Sequence, residues 1–284
     1  MKFDTTDNLC VNAIRTLSID MVGQADSGHP GLPLGAAPLA YAVWAGHLKF
    51  STSDPAWFNR DRFVLSAGHG SSMLYAMLHL YGYGLKLEDL KEFRQLGSLT
   101  PGHPEYGHTA GVETTTGPLG QGFANAVGMA LAEKLLAGKL NTPEFTLVDH
   151  FTYVLVGDGD LMEGVSYEAA SLAGTMKLGK LICLYDSNGI TIEGSTSLAF
   201  TENVKKRFLA QNWQVIEVED GNNLNELDSA IKKARRETES PSIIIAKTHI
   251  GWASPRQDKN SVHGEPLKPE EILATKLKLG WPSS

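Results

Sequence analysis

The chain has only two cysteines in 284 residues, Cys10 and Cys183. They lie far apart in amphipathic or apolar segments, so they read as buried, reduced thiols and not as a disulfide framework. No apolar run is long enough to span a bilayer. The N-terminus has no basic–apolar–small leader pattern. A cytoplasmic protein that contacts no membrane is therefore the expectation. A strong basic balance is also missing: 25 lysines and arginines face 32 acids, a net charge of −7. The one basic cluster, Lys232, Lys233, Arg235 and Arg236, falls on an expected helix. It reads as a solvated face, and no nucleic-acid partner is expected.

Common catalytic motifs are missing as well. Gly157-Asp158-Gly159 does not continue as G-x-G-x-x-G, because Met162 stands where the third glycine belongs. There is no G-x-x-x-x-G-K-[ST], no H-E-x-x-H and no G-x-S-x-G, which argues against the usual nucleotide loop, helical zinc site and serine-hydrolase elbow. His103, Glu105 and His108 are close in sequence, but Pro104 and Gly107 between them break any helical metal spacing.

What is present is an alternation. The composition, 42% hydrophobic and 20% charged, is that of a globular chain long enough for one large domain. Apolar periodicity predicts helices over 6–24, 35–48, 73–81, 121–136, 164–177, 201–211 and 224–238, with Leu9, Ala13, Leu17 and Met21 as the buried stripe of the first. Strands are predicted over 62–66, 151–156, 181–185, 213–218 and 242–247. Continuous apolar runs such as Tyr153-Val154-Leu155-Val156 suit strands buried on both sides. The expected fold is α/β, a mainly parallel sheet with helices on both faces, forming a single domain over 1–284. The Pro-, Gly- and Thr-rich stretch 99–120 is too long for a plain connector.

Five polar or glycine-bearing loops follow predicted strands: 66–69, 157–159, 186–189, 220–222 and 248–251. Ligands of open α/β sheets bind outside the carboxyl ends of the strands, so at least three of these loops should share one site. An Asp and an Asn on neighbouring strand ends, with a backbone carbonyl nearby, suit a hard divalent cation. The competing reading is that Asp158 merely caps the following helix. Gly117-Pro118-Leu119-Gly120-Gln121-Gly122 runs into a helix whose N-terminus favours an anion. His29, His69, His103 and His263 all stand beside Gly or Pro, which suggests a polar pocket handling hydroxyls, phosphates or protons.

"DSGHPGLPLGAAP", "DRFVLSAGHGSSMLY", "TPGHPEYGHTAGVETTTGPLGQGFANAVGMA" and "GDGDLMEGVSYEAASLAGTMKLGKL" resemble, in order and spacing, the N-terminal, diphosphate-binding half of the transketolases, which are thiamine diphosphate enzymes. The Gly-Asp-Gly…Asn pattern alone points only to the superfamily. The histidine-bearing blocks narrow it. The resemblance covers essentially the whole chain.

That resemblance implies a thiamin diphosphate-binding fold and a set of roles. Asp158, Asn188 and the main-chain carbonyl of Ile190 would hold Mg²⁺ (or Ca²⁺). Gly117, Pro118, Leu119 and Gly159 would line the cofactor, and His69 and His263 would reach its diphosphate. His29, His103 and His263 would face a sugar phosphate. Glu163 would point across an interface toward the glutamate that activates the cofactor, although it could also be just a first-turn helix charge. The implied reaction moves a two-carbon ketol unit from a ketose phosphate to an aldose, with the cofactor as electron sink and histidines moving hydroxyl protons. Transketolases are roughly twice as long as this chain, and nothing in it resembles their pyrimidine-binding or C-terminal domains. The expectation is an N-terminal subunit of a split enzyme, active with a C-terminal partner as a heterotetramer; a shortened piece of a longer enzyme is the alternative. A deoxyxylulose-phosphate synthase-like subunit and a non-catalytic regulatory homologue also remain open. The intact set of metal ligands and histidines weighs against the regulatory homologue.

Overall fold

The computed structural model describes residues 2–282. In chain order the strands are β1 (Arg62–Leu65), β2 (Thr152–Gly157), β3 (Leu181–Ser187), β4 (Ile190–Thr191), β5 (Gly194–Ser195), β6 (Gln214–Val218) and β7 (Ser242–Lys247). The helices are α1 (Thr5–Ala25), α2 (Gly31–Gly46), α3 (Ser71–Leu80), α4 (Leu87–Lys91), α5 (Gln121–Leu140), α6 (Gly164–Thr175), α7 (Val204–Ala210), α8 (Leu224–Arg236), α9 (Ser261–Gly264) and α10 (Pro269–Lys278). Five strands form one sheet in the order β1-β2-β3-β7-β6. Every pair in it is parallel. β4 and β5 make a small antiparallel hairpin.

Alternation along each strand sends side chains to two separate cores. Tyr153 and Leu155 of β2, Ile182 and Leu184 of β3, and Ile244 and Ala246 of β7 pack with α1, α2, α3 and α8. Val154 and Val156, Cys183 and Tyr185, and Ile243 face α5, α6 and α7 instead. A strand covered on both faces has no side that must be polar, which explains the unbroken apolar runs. The predicted α/β fold class is thus the one observed.

α2 shows how the core fixes the site. Every residue from Gly31 to Trp44 is buried, as expected for a helix apolar all round. A Cβ on Gly31 would lie 2.7 Å from the carbonyl oxygen of Val262, and one on Gly35 2.7 Å from that of His249. The helix therefore lies directly on the segment after β7, which brings His29 at its start beside His263.

Two expectations need correction. Cys183 is buried, but Cys10 is exposed. The buried side of α1 is Val11, Ile14, Arg15, Ser18, Met21 and Val22, whereas Leu9 is 54% exposed. Of the expected stripe, Met21 is buried and Leu17 packs against the core, but Leu9 is not, because the buried face turns toward Arg15 and Ser18, polar by composition yet internal. Arg15 donates to the Leu34 carbonyl at 2.8 Å and to Asn222 Oδ1 at 2.6 Å, and Ser18 donates to the Ile14 carbonyl. On α8, Lys232 pairs with Asp228 and the Arg235 guanidinium lies 4.0 Å from the Phe151 ring centre, so these cations serve local packing. Among the described residues no helix is long and apolar enough to cross a membrane.

Candidate active site

β2 ends at Gly157, in register with Asp186 at the end of β3. The next residue, Asp158, is only 5% exposed. Its carboxylate does not cap a helix. Oδ1 accepts from the Tyr185 hydroxyl at 2.6 Å and Oδ2 from the Gly189 amide at 3.1 Å, both on the neighbouring strand and its loop. Gly189 has φ +73°, a conformation that glycine adopts without strain. Asn188 Nδ2 donates to Asp186 at 3.0 Å, which fixes the amide, and Asn188 Oδ1 accepts from the Ile190 amide at 2.9 Å. Asp158, Asn188 and Ile190 line one cavity of about 340 Å³.

This donor set is all oxygen: a carboxylate, a carboxamide and a main-chain carbonyl. A carboxylate oxygen that accepts one hydrogen bond keeps further lone pairs, so the set fits a hard divalent cation. The electrostatics agree. Burial pushes the carboxyls of Asp158 and Asp186 up, the latter to about 7, with the Asp158 charge adding to the effect on Asp186. Among the described residues neither acid has a cationic side chain in contact; their partners are hydroxyls and amides, including the Thr248 hydroxyl on Asp186. A cation here would neutralise charge that the protein's own side chains do not.

The second aspartate of Gly157-Asp158-Gly159-Asp160 has a separate task. Asp160 Oδ1 accepts from Ser66 Oγ at 2.6 Å and from the Gly120 amide at 2.8 Å, and Oδ2 accepts from the Gly157 amide at 2.9 Å. Ser66 Oγ in turn accepts from the Phe123 amide at 2.9 Å. Burial, with the nearby Glu163, pushes this carboxyl up, but every group aimed at it is a donor, an arrangement only the ionised form satisfies in full. Gly120 is the residue capping α5. The anion that satisfies this amide at the α5 N-terminus is therefore a side chain of the protein itself. Through it the ends of β1 and β2 and the start of α5 are tied into one unit.

The four singled-out histidines meet. The His29 ring centre lies 5.1 Å from that of His69, 5.8 Å from His263 and 6.4 Å from His103. His69 and His263 are stacked at 4.9 Å. Burial, reinforced by His263, Arg94 and His103, lowers His29 to about 4. Burial also lowers His69, His103 and His263. The cluster is neutral near pH 7 and can both give and take hydrogen bonds. His29 Nδ1 is buried with no partner among the described residues, an acceptor or donor left for a ligand.

His69, Leu119, Gly159, Glu163 and His263 line the same cavity as the oxygen donors. A Cβ on Gly159 would sit 2.8 Å from Leu119 Cδ1, so glycine lets that leucine close on the loop. His29, His103, Gly117 and Pro118 do not line the cavity itself. His29 and His103 continue the cluster beyond His69 and His263, and Gly117 backs His103, its hypothetical Cβ 3.5 Å from that ring. Glu163 is exposed at the rim and makes no capping bond to α6. His108 donates through Nε2 to the Ser98 carbonyl, and no group of three His, Cys, Asp or Glu side chains placed to hold a metal occurs among the described residues.

Of the five loops, four reach the cavity through His69, Asp158, Asn188 and Ile250. Asn222 instead holds Arg15, because β6 is the sheet's edge and its loop lies beyond β7. Ser66, Asp186 and Thr248 open three of the five loops expected from the sequence, but nothing local assigns them a role; Asp160 is signalled only as the second Asp of its strand-end motif, and Tyr185, inside a strand, carries no signal.

The chain matches the family described as "Transketolase, thiamine diphosphate binding domain" over residues 6–284. The transketolase of Bacillus subtilis is 59% identical over 279 residues, covering 98% of this chain and 42% of that protein. The transketolase of Streptococcus pyogenes is 60% identical over 282 residues, covering 99% and 39%. Among solved structures, a Pichia stipitis transketolase complex with sedoheptulose 7-phosphate superposes with a TM-score of 0.97 at 49% identity, covering 99% of this chain and 41% of that one. Campylobacter jejuni transketolase gives 0.95 at 49% identity, covering 100% and 44%. The chain thus spans about two fifths of the length of these relatives.

Proposed function

The chain belongs to the transketolase family, and from that premise we propose that residues 1–284 form one domain holding the diphosphate end of thiamine diphosphate in a ketol-transferring enzyme. The observation that carries this reading is the convergence of the oxygen donors and the neutral imidazoles on one cavity. Asp158, Asn188 and the Ile190 carbonyl would hold Mg²⁺ (or Ca²⁺), and Gly159, Leu119, His69 and His263 would take the diphosphate, with Gly117 and Pro118 behind them. When bound, thiamine diphosphate supplies the electron sink for breaking and remaking a carbon–carbon bond.

The protein's own groups then position the sugar and move its protons. His29, His103 and His263 form a neutral wall beside the cavity, suited to hydroxyl and carbonyl oxygens of a ketose phosphate and an aldose. His29, whose Nδ1 has no partner among the described residues, is the imidazole we assign to exchange a proton with a substrate hydroxyl. Glu163 stands exposed at the rim, where a partner's group could reach it.

The rest of the enzyme would be a second polypeptide carrying the pyrimidine-binding domain, assembled as a heterotetramer in the cytoplasm. Exposed apolar side chains support a partner face: Val165 and Leu172 on α6, Met176 just after it, and Leu135, Leu136 and Leu140 on α5. A permanent interface is apolar at its centre. Two measurements test the proposal. Calorimetry with thiamine diphosphate and Mg²⁺ on the assembled enzyme should lose the metal-dependent signal in Asp158→Ala; unchanged affinity would refute the metal assignment. The chain alone should give negligible turnover of xylulose 5-phosphate and ribose 5-phosphate, restored by the second subunit. Full turnover by the chain alone would refute the partner.

A further inference from the structure

Three of the four site histidines follow a glycine, and two of those glycines, in Gly28-His29 and Gly102-His103, pack against one dipeptide, Phe93-Arg94. A Cβ on Gly28 would lie 3.1 Å from Phe93 Cε1. A Cβ on Gly102 would lie 3.2 Å from Arg94 Nε and 3.3 Å from its guanidinium carbon. The Arg94 side chain thus fills the space beside Gly102 that a Cβ would need. It also donates through Nη1 to Ser27 Oγ at 2.9 Å, in the turn that precedes His29.

Arg94 is held in this place against local cost. Its φ is +64°, the left-handed region that a residue with a long side chain adopts only when its surroundings impose it. Its amide donates to the Thr100 carbonyl at 2.9 Å, closing the loop that leads to Gly102. Nε is buried with no partner, and among the described residues Arg94 forms no ion pair. A half-buried, unpaired cation in a strained backbone serves poorly as a stabiliser of the fold. It is well placed to fix two loops relative to each other. From the other side, Ser71 donates to the Gly102 carbonyl at 2.8 Å and Tyr75 to the His103 carbonyl at 3.2 Å, so the His103 loop is gripped between α3 and Arg94.

We propose that Arg94 is a positioning residue: its guanidinium clamps the Ser27-Gly28-His29 turn to the Gly102-His103 turn and so sets the spacing of the two imidazoles that face the sugar. This rests on the reading of His29 and His103 as substrate residues. The cation has a second effect on the same rings. It lies close enough to disfavour protonation of both, alongside burial and, for His29, the neighbouring His263 and His103. The other titratable groups facing these rings are His69 and the Tyr75 hydroxyl, with Glu105 acting on Tyr75.

The test separates geometry from charge. In the full chain, ¹H–¹³C NMR titration of the histidines follows His29 and His103 in Arg94→Gln, Arg94→Lys and Ser27→Ala. In the assembled enzyme, kcat and KM are measured for the same variants. Arg94→Gln should raise the apparent pKa of both histidines and lower kcat about tenfold to a hundredfold, the cost of misplacing reacting groups by about an ångström. Arg94→Lys keeps the charge but not the planar fork. It should hold the low pKa values while leaving kcat depressed. Ser27→Ala, which keeps the cation, should lower kcat in the same direction by a smaller factor. Wild-type titration and wild-type kcat in Arg94→Gln would overturn the role. A raised pKa with wild-type kcat would overturn its link to turnover, provided His103→Ala is impaired. If His103→Ala is fully active, the reading of the histidines fails instead.

Discussion

Replacing Asp160 by alanine should destabilise the fold more than its position in a surface loop would suggest. The residue is fully buried and its carboxylate satisfies the Ser66 hydroxyl and the Gly120 and Gly157 amides. The hydroxyl can turn to another partner, but the two backbone amides cannot. At roughly 1–3 kcal/mol for each orphaned buried donor, the loss is about 2–6 kcal/mol, with about 3 kcal/mol as a working value. For a chain of 284 residues each kcal/mol lowers Tm by about 2 °C, so Asp160→Ala should melt about 6 °C below the parent. Asp160→Asn keeps one oxygen and turns an amide N–H₂ toward a donor, so it should fall between the two. Ser66→Ala breaks the same network at the Phe123 amide and should be less than additive with Asp160→Ala. Calorimetric or circular-dichroism melting of the three variants is the assay. A Tm within 2 °C of the parent for Asp160→Ala would show that water replaces the lost acceptor and that the network holds nothing together.

His263→Ala should lower turnover of the assembled enzyme more than it weakens cofactor binding, since the ring stacks on His69 at 4.9 Å and faces His29; equal losses in kcat and in calorimetric affinity would point to a cofactor role alone. His29, lowered to about 4, should stay neutral at pH 6 in an NMR titration, where an ordinary imidazole is mostly protonated. Its folded state then binds fewer protons than the unfolded chain, so its contribution to stability is constant above about pH 6.5 and is lost as pH falls toward 4. The parent should accordingly lose stability relative to His29→Gln across that window, and a pH-independent difference would contradict it. Gly174→Ala would place its Cβ 1.7 Å from the Gln211 carbonyl oxygen, a backbone atom that cannot rotate away. It should cost about 1–3 kcal/mol or more in urea unfolding, and a neutral result would show that α6 shifts freely.

The strand-end loops were legible because their residue types are forced. An Asp after a buried strand and an Asn-Gly after the next can serve either a cap or a site, and His29 and His103, each between Gly and Pro, stand in segments unsuited to helix interior. Sequence spacing could not say which loops converge. The Asp220-Gly221-Asn222 loop has the same composition as the others, yet it misses the cavity because β6 lies beyond β7, away from the β2 and β3 ends, whereas β1 adjoins β2. The buried face of α1 was misread for a related reason. Whether Arg15 is inside depends on acceptors supplied by Leu34 and Asn222, far along the chain.

The sequence by itself determined the parallel, doubly covered sheet, because apolar runs too short to be helices and polar on neither side fit nothing else. It also determined the family and the short-range oxygen pair of Asp158 and Asn188, which adjacent strands must bring together. Tertiary structure alone decided that Asp160 closes the start of α5, that Asp186 and Thr248 back the oxygen donors, and that Phe93-Arg94 bridges two histidine turns. The physical reason is common to all three. Each depends on a polar group finding its partner across a long sequence separation, and such partners are set by how helices and strands pack, not by any local periodicity.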